Sequence, residues 1–148
     1  EETKMKPIKT QPAAAAQATG ATPLSGTMDR RAFLRRSGLV VGGTRSTRLL
    51  IRAIGPGLAA FGVPAILARP SIGVFRGTTS LRTNTGWSSE GFTQDLMVAA
   101  ESVAAFPLAI GSFDCAMILT VDPGAYTIHL TGVGGTTGEA LAEIYVLR

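Results

Sequence analysis

Apolar residues in this chain recur at every second position in short runs, and glycine or proline closes each run. Successive side chains of an extended strand point to opposite faces, so this alternation forces strands with one apolar and one polar side. Over residues 113–121 the apolar side carries Phe113, Cys115, Met117, Leu119 and Val121. Asp122-Pro123-Gly124-Ala125 then reads as a turn, with the fixed φ of proline suited to its second position and glycine available for the third. Tyr126, Ile128 and Leu130 next face inward, while Thr127, His129 and Thr131 face out. A second glycine-rich turn over 132–138 leads to a last strand over 140–147.

The earlier half follows the same rule. Residues 48–54 place Leu49, Ile51 and Ala53 on one face and Leu50, Arg52 and Ile54 on the other, before Gly55-Pro56-Gly57 breaks the run. A loop with a helical turn leads to Pro70, and strands over 71–76 and 80–83 flank Gly77. Leu39-Val40-Val41 sits between glycines, and the segment around it reads as two strands with a turn near Ser37-Gly38. One helix is expected over 93–105: Thr93 caps it, Asp95 suits the first turn, Leu96, Ala99, Ala100 and Val103 form one stripe, and Pro107 closes it. About eight short strands and one short helix predict an all-β fold. The expected form is a β-sandwich, jelly-roll or immunoglobulin-like, over residues 28–148.

Composition narrows the function. Hydrophobic residues make up 45% of the 148 and charged residues 16%, enough apolar material for a core and too much for a wholly disordered chain. No apolar run approaches the ~18 residues of a membrane-spanning helix. One Cys excludes an internal disulfide, and one His with one Cys excludes an all-His/Cys metal cage. His129 has only the hydroxyls of Thr127 and Thr131 beside it on its face, which is no catalytic constellation. Cys115 lies on an apolar face, where a thiol behaves as a small hydrophobe. No helix-forming stretch follows Gly132-Val133-Gly134-Gly135, so that cluster is a turn and not a phosphate cradle. No catalytic residue, cofactor or metal site is assigned, and the chain is not expected to be an enzyme.

Residues 1–27 differ from the rest. Pro7, Pro12 and Pro23 bracket segments too short for a stable isolated helix, and large apolar residues are few. An extended arm is expected, able to reach ~80–90 Å at ~3.3 Å per residue. A bare linker satisfies the same composition. As an assembly arm it would use its small side chains, Ala13, Ala14, Ala15, Ala16 and Ala18, with Leu24 and Met28. Thr10, Thr19, Thr22, Ser25 and Thr27, set among Ala and Pro, are candidate O-glycan acceptors. Asp29-Arg30-Arg31-Ala32-Phe33-Leu34 imitates a twin-arginine export signal, but the apolar stretch behind it is too short. Residues 1–52 carry ten Lys and Arg against three acids, and residues 53–148 carry four against seven. Such asymmetry suits polyanions, head-to-tail self-association, or no partner at all. Basic residues without interleaved aromatics argue against single-stranded nucleic acid.

Three segments carry a resemblance: L-L-I-R-A-I-G-P-G-L-A-A-F-G-V-P at 49–64, T-N-T-G-W at 83–87, and D-P-G-A-Y-T-I-H-L-T-G-V-G-G-T-T-G-E-A-L-A-E-I-Y-V-L at 122–147. Together they resemble a ~110-residue module of large secreted and surface proteins of environmental bacteria. The resemblance covers residues 28–147 and implies an extracellular or cell-surface β-sandwich with no assigned catalytic activity. The segment before the tryptophan in such modules is often N-D-D-W. Here Asn84-Thr85-Gly86-Trp87 lacks the carboxylates a calcium ion prefers. Trp87 in that loop would either stack on a sugar ring or plug the end of the core. The expected function is a structural subunit of an extracellular filament, a homopolymer joined head to tail by the arm. The alternative is a secreted carbohydrate- or matrix-binding module, with polysaccharide as partner.

Overall fold

The computed structural model describes residues 35–148. Residues 1–34 lie outside the described residues, and with them the expected arm, Met28, the candidate O-glycan acceptors and the twin-arginine segment. The described chain runs β1 (Arg35–Val41), β2 (Thr47–Ile54), a 3-10 turn (Pro56–Phe61), β3 (Pro70–Arg76), β4 (Thr79–Asn84), α1 (Thr93–Ser102), β5 (Cys115–Val121), β6 (Gly124–Gly132), a short 3-10 turn (Val133–Gly135) and β7 (Leu141–Leu147). The strands form a four-stranded sheet of order β1-β6-β3-β4 and a three-stranded sheet of order β5-β2-β7. Every neighbouring pair is antiparallel. The expected all-β sandwich is the fold, with seven strands among the described residues.

The inner faces of the two sheets meet in one core. Leu49, Ile51 and Ala53 of β2 pack there with Ile72 and Val74 of β3, Cys115 and Met117 of β5, and Tyr126, Ile128 and Leu130 of β6. These are the alternating positions of the sequence, each fully buried aliphatic contributing about 1.5–3 kcal/mol. The outer face of the three-stranded sheet is also covered. Helix α1 lays Leu96 and Ala99 over Leu50 and Ala116, and Trp87 joins this second cluster. A central strand covered on both faces explains why residues 49–54, Arg52 apart, are apolar on both sides of the alternation.

Several expectations are corrected in detail. No turn interrupts the chain at Ser37-Gly38: β1 runs straight through, with Ser37 paired to Ile128 and Gly38 to Thr127. Seven consecutive partners on β6 hold the glycine extended despite its freedom to turn. Strand β5 begins at Cys115, two residues after the alternation does. Phe113 is exposed outside it, with the Arg69 guanidinium 4.5 Å above its ring. Helix α1 ends at Ser102, and Thr93 does not cap it. The Thr93 hydroxyl instead donates to the Ser88 carbonyl at 3.2 Å. At Gly55 a side chain is impossible, because a Cβ would overlap the carbonyl oxygen of Leu67.

Candidate functional site

The residue least compatible with its surroundings is Arg52. Its place on β2 points it out from the three-stranded sheet, beneath the segment that follows α1, and it is 1% exposed. Its Nε lies 3.3 Å from Oε2 of Glu143, the residue opposite it on β7. That approach lacks hydrogen-bond geometry, and Nη1 and Nη2 have no hydrogen-bond partner either. The Phe106 ring covers one face of the guanidinium, 4.7 Å from Cζ. Burial pulls the guanidinium below its ordinary pKa, while the charges of Glu143, Tyr145 and Asp114 oppose that pull. Arginine stays protonated throughout the accessible pH range. Burial pushes the Tyr145 phenol up, and the charge and hydrogen bond of Glu143 push it further. None of the three guanidinium nitrogens of Arg52 makes a hydrogen bond, so the pair with Glu143 is one of charge alone.

Arg52 is among the residues lining a cleft of about 300 Å³, but its guanidinium nitrogens present no accessible surface to it. Leu50 and Ala116 of the sheet form its floor, and Leu96 and Ala100 of α1 form one wall. Pro107 and Leu108 close the far side, and the Trp87 ring contributes an edge. Glu101 and the partly exposed Met97 stand at the α1 side. An apolar cleft with very few polar groups is the usual form of a small-molecule site. The sequence reading placed Arg52 on the second face of its strand without giving it a role. The signal available was a single cation between Leu50 and Ile54 on a face otherwise apolar.

Beside the cavity, the motif segments meet in a hydrogen-bonded knot. The buried Asp114 carboxylate accepts from the Gly55 and Gly57 backbone N–H groups at 2.9 and 3.0 Å, and from the Ser112 hydroxyl at 2.7 Å. The Asn84 side chain accepts from the Ala116 N–H at 3.1 Å and donates to Glu90 at 2.9 Å. Burial would raise the Glu90 pKa, but the bonds from Asn84 and Arg82 together hold it below the ordinary value. Trp87 donates its indole N–H to the Ala109 carbonyl at 3.0 Å and is 3% exposed. Of the two roles open to it, Trp87 takes that of a core plug, and at 3% exposed its ring is not presented at the surface for a sugar to stack on. The indole hydrogen bond ties the ring to a loop 22 residues further along the chain. Among the described residues, no three His, Cys, Asp or Glu side chains cluster as a metal site would require.

The two residues with reactive side chains are both accounted for by packing. His129 stacks on Phe75 with ring centroids 4.3 Å apart. Burial raises the Cys115 thiol to about 12, so it carries no thiolate at neutral pH.

The sheets leave edges open. Strands β1, β4, β5 and β7 each pair on one side only among the described residues. Strand β2 packs over β3, and β5 over β3 and β4, which puts β7 toward the β6–β1 half of the larger sheet. Compared with protein-family models, curated proteins and solved structures, the chain finds no match in any of the three.

Proposed function

We propose that the chain is a structural subunit of an extracellular filament or surface assembly, with residues 1–27 docking on the neighbouring copy. The observation that supports this reading is the mismatch between the sheets: among the described residues three strands face four, and the outer edge of β7 has no strand beside it. An open edge presents unpaired N–H and C=O groups that template another strand. A strand supplied by the next subunit pairs with them through the main chain, whatever its side chains. The proline-free stretches over 13–22 and 25–31 meet that need, and alanines allow close approach to the sheet. The contact joins two different surfaces, so it propagates as an open chain of subunits and does not close into a dimer. The basic first third and acidic remainder favour the same head-to-tail order.

The test is deletion of residues 1–31, which removes both proline-free stretches, followed by sizing and negative-stain microscopy. Filaments by the full chain and monomers by the deletion variant are expected. Unchanged filaments without the arm would overturn the docking, and a full chain monomeric at high concentration would overturn assembly.

A further inference from the structure

We propose that in the assembly the outer face of the four-stranded sheet receives α1 of the next copy, so that subunits stack layer on layer in head-to-tail order. The inference rests on the assembly reading above and adds to the arm a second contact, built wholly from described residues. Helix α1 packs on β2 and β5, and it is the one α-helix among the described residues. The outer face of the other sheet therefore carries no helical layer. Its positions alternate with those of the core. Leu39 and Val41 point into the sandwich, so Arg36, Gly38 and Val40 of β1 point away from it. The register sets these in rows across the sheet. Arg36 pairs with His129 and His129 with Gly73, while Gly38 pairs with Thr127 and Thr127 with Phe75.

This face is apolar and basic at once. Val40 is 77% exposed, and the half-buried Phe75 ring stacks on His129 beside it. A Cβ at Gly38 would meet nothing within 4 Å, which leaves a hollow between Arg36 and Val40. The four strands hold Arg35, Arg36, Arg76 and Arg82 and no Asp or Glu. Helix α1 offers the complement. Gln94, Met97, Val98 and Glu101, spaced as one stripe of a helix, are all exposed. Met97 and Val98 are 44% and 55% exposed, on the side where a solvated helix carries polar residues. The charges of α1 are Asp95 and Glu101, with no Lys or Arg. Val98 is therefore placed in the hollow at Gly38, against Val40, and Glu101 against Arg36.

The two faces lie on opposite sides of the sandwich, so no copy satisfies the contact with its own helix. Joining unlike surfaces, it propagates openly, as the arm does. A ten-residue helix is about 15 Å long, and four strands make a face of similar width. Such a contact covers roughly 300 Å² per copy, well below the ~800 Å² of a stable interface. The arm accordingly holds the copies together, and the face contact fixes their orientation. Three layers per subunit give a repeat of about 30 Å, inside the reach of the arm.

The test is cross-linking of the full chain carrying Val40→Cys and Val98→Cys with a short bismaleimide. Cys115 is 0% exposed, so the introduced thiols alone react in the folded protein. A ladder of covalent oligomers is expected from the double variant, and at most dimers from either single one. Filaments that give no ladder overturn the face contact and leave the arm standing, and this is also the outcome if residues 1–34 cover the face. Filaments that survive deletion of residues 1–31 and still give the ladder overturn the arm and support the face contact. A full chain that stays monomeric overturns both. Arg36→Glu and Glu101→Arg should each raise the concentration needed for filaments about three- to tenfold, and the two together should restore it. An unchanged concentration in either single variant overturns the pairing of these faces.

Discussion

Replacing Arg52 by methionine keeps the length of the side chain and deletes its charge. The Glu143 side chain, 7% exposed, then keeps its negative charge without the cation 3.3 Å away. Removing one partner of a buried ion pair costs about 3–5 kcal/mol, because the other is left desolvated and unpaired. Against a total stability of about 5–15 kcal/mol for a domain, that is a large fraction. Glu143→Leu strands the guanidinium instead and should cost a similar amount. The double variant behaves differently. Methionine and leucine there meet Phe106, Leu108 and the aliphatic floor of the cavity, so the loss should shrink to near zero or become a gain of about 1–4 kcal/mol. Urea unfolding followed by Trp87 emission measures all four proteins. At a slope of ~1.5 kcal/mol/M each single variant should lose ~2–3 M in midpoint, with the double near the parent. Single variants within 1 kcal/mol of the parent would mean that the pair is solvated, contrary to its burial. A double variant as costly as the two singles combined would mean that the charges do not interact.

Two further outcomes follow from the knot and the core. Asp114→Ala should cost about 3–5 kcal/mol, since the Gly55 and Gly57 N–H groups and the Ser112 hydroxyl lose their common acceptor, and Asp114→Asn should cost less; thermal unfolding checks both. Cys115 should resist alkylation at pH 8 in the folded protein and react once urea unfolds it. The folded protein keeps the thiol proton up to about pH 12, whereas the unfolded chain releases it near 9. Stability therefore falls as pH rises above about 9, by up to about 1.4 kcal/mol per pH unit, and comparison with Cys115→Ala isolates that slope.

Much of the fold was legible because a strand writes its environment at every second residue. The alternation Tyr126, Ile128, Leu130 and the turn at Pro123-Gly124 name β6 and its entry without reference to any other part of the chain. The stripe Leu96, Ala99 likewise names the buried side of α1. Errors arose where a local signal competed with pairing. Gly38 permits a turn, but hydrogen bonds to β6, some 90 residues away, keep it in a strand. Thr93 is a good capping residue by type, yet the loop brings the Ser88 carbonyl to its hydroxyl. Phe113 continues the alternation of β5, but the strand starts only at Cys115, because the Asp114 carboxylate before it is held by the Gly55 and Gly57 N–H groups and by the Ser112 hydroxyl.

The candidate site was the least legible part. Leu50, Arg52, Trp87, Leu96 and Leu108 are scattered over 59 positions, and nothing in their spacing says that they surround one space. Alternation and turn chemistry act between near neighbours, so the sequence by itself determined the strands, the helix and the inward faces. Which sheet each strand joins, that the outer face of β2 is roofed by α1, and that Arg52 is enclosed there with Glu143 were decided only by tertiary structure. Those features depend on contacts between distant segments, whose closure is driven by burial of the whole core and not by any local run.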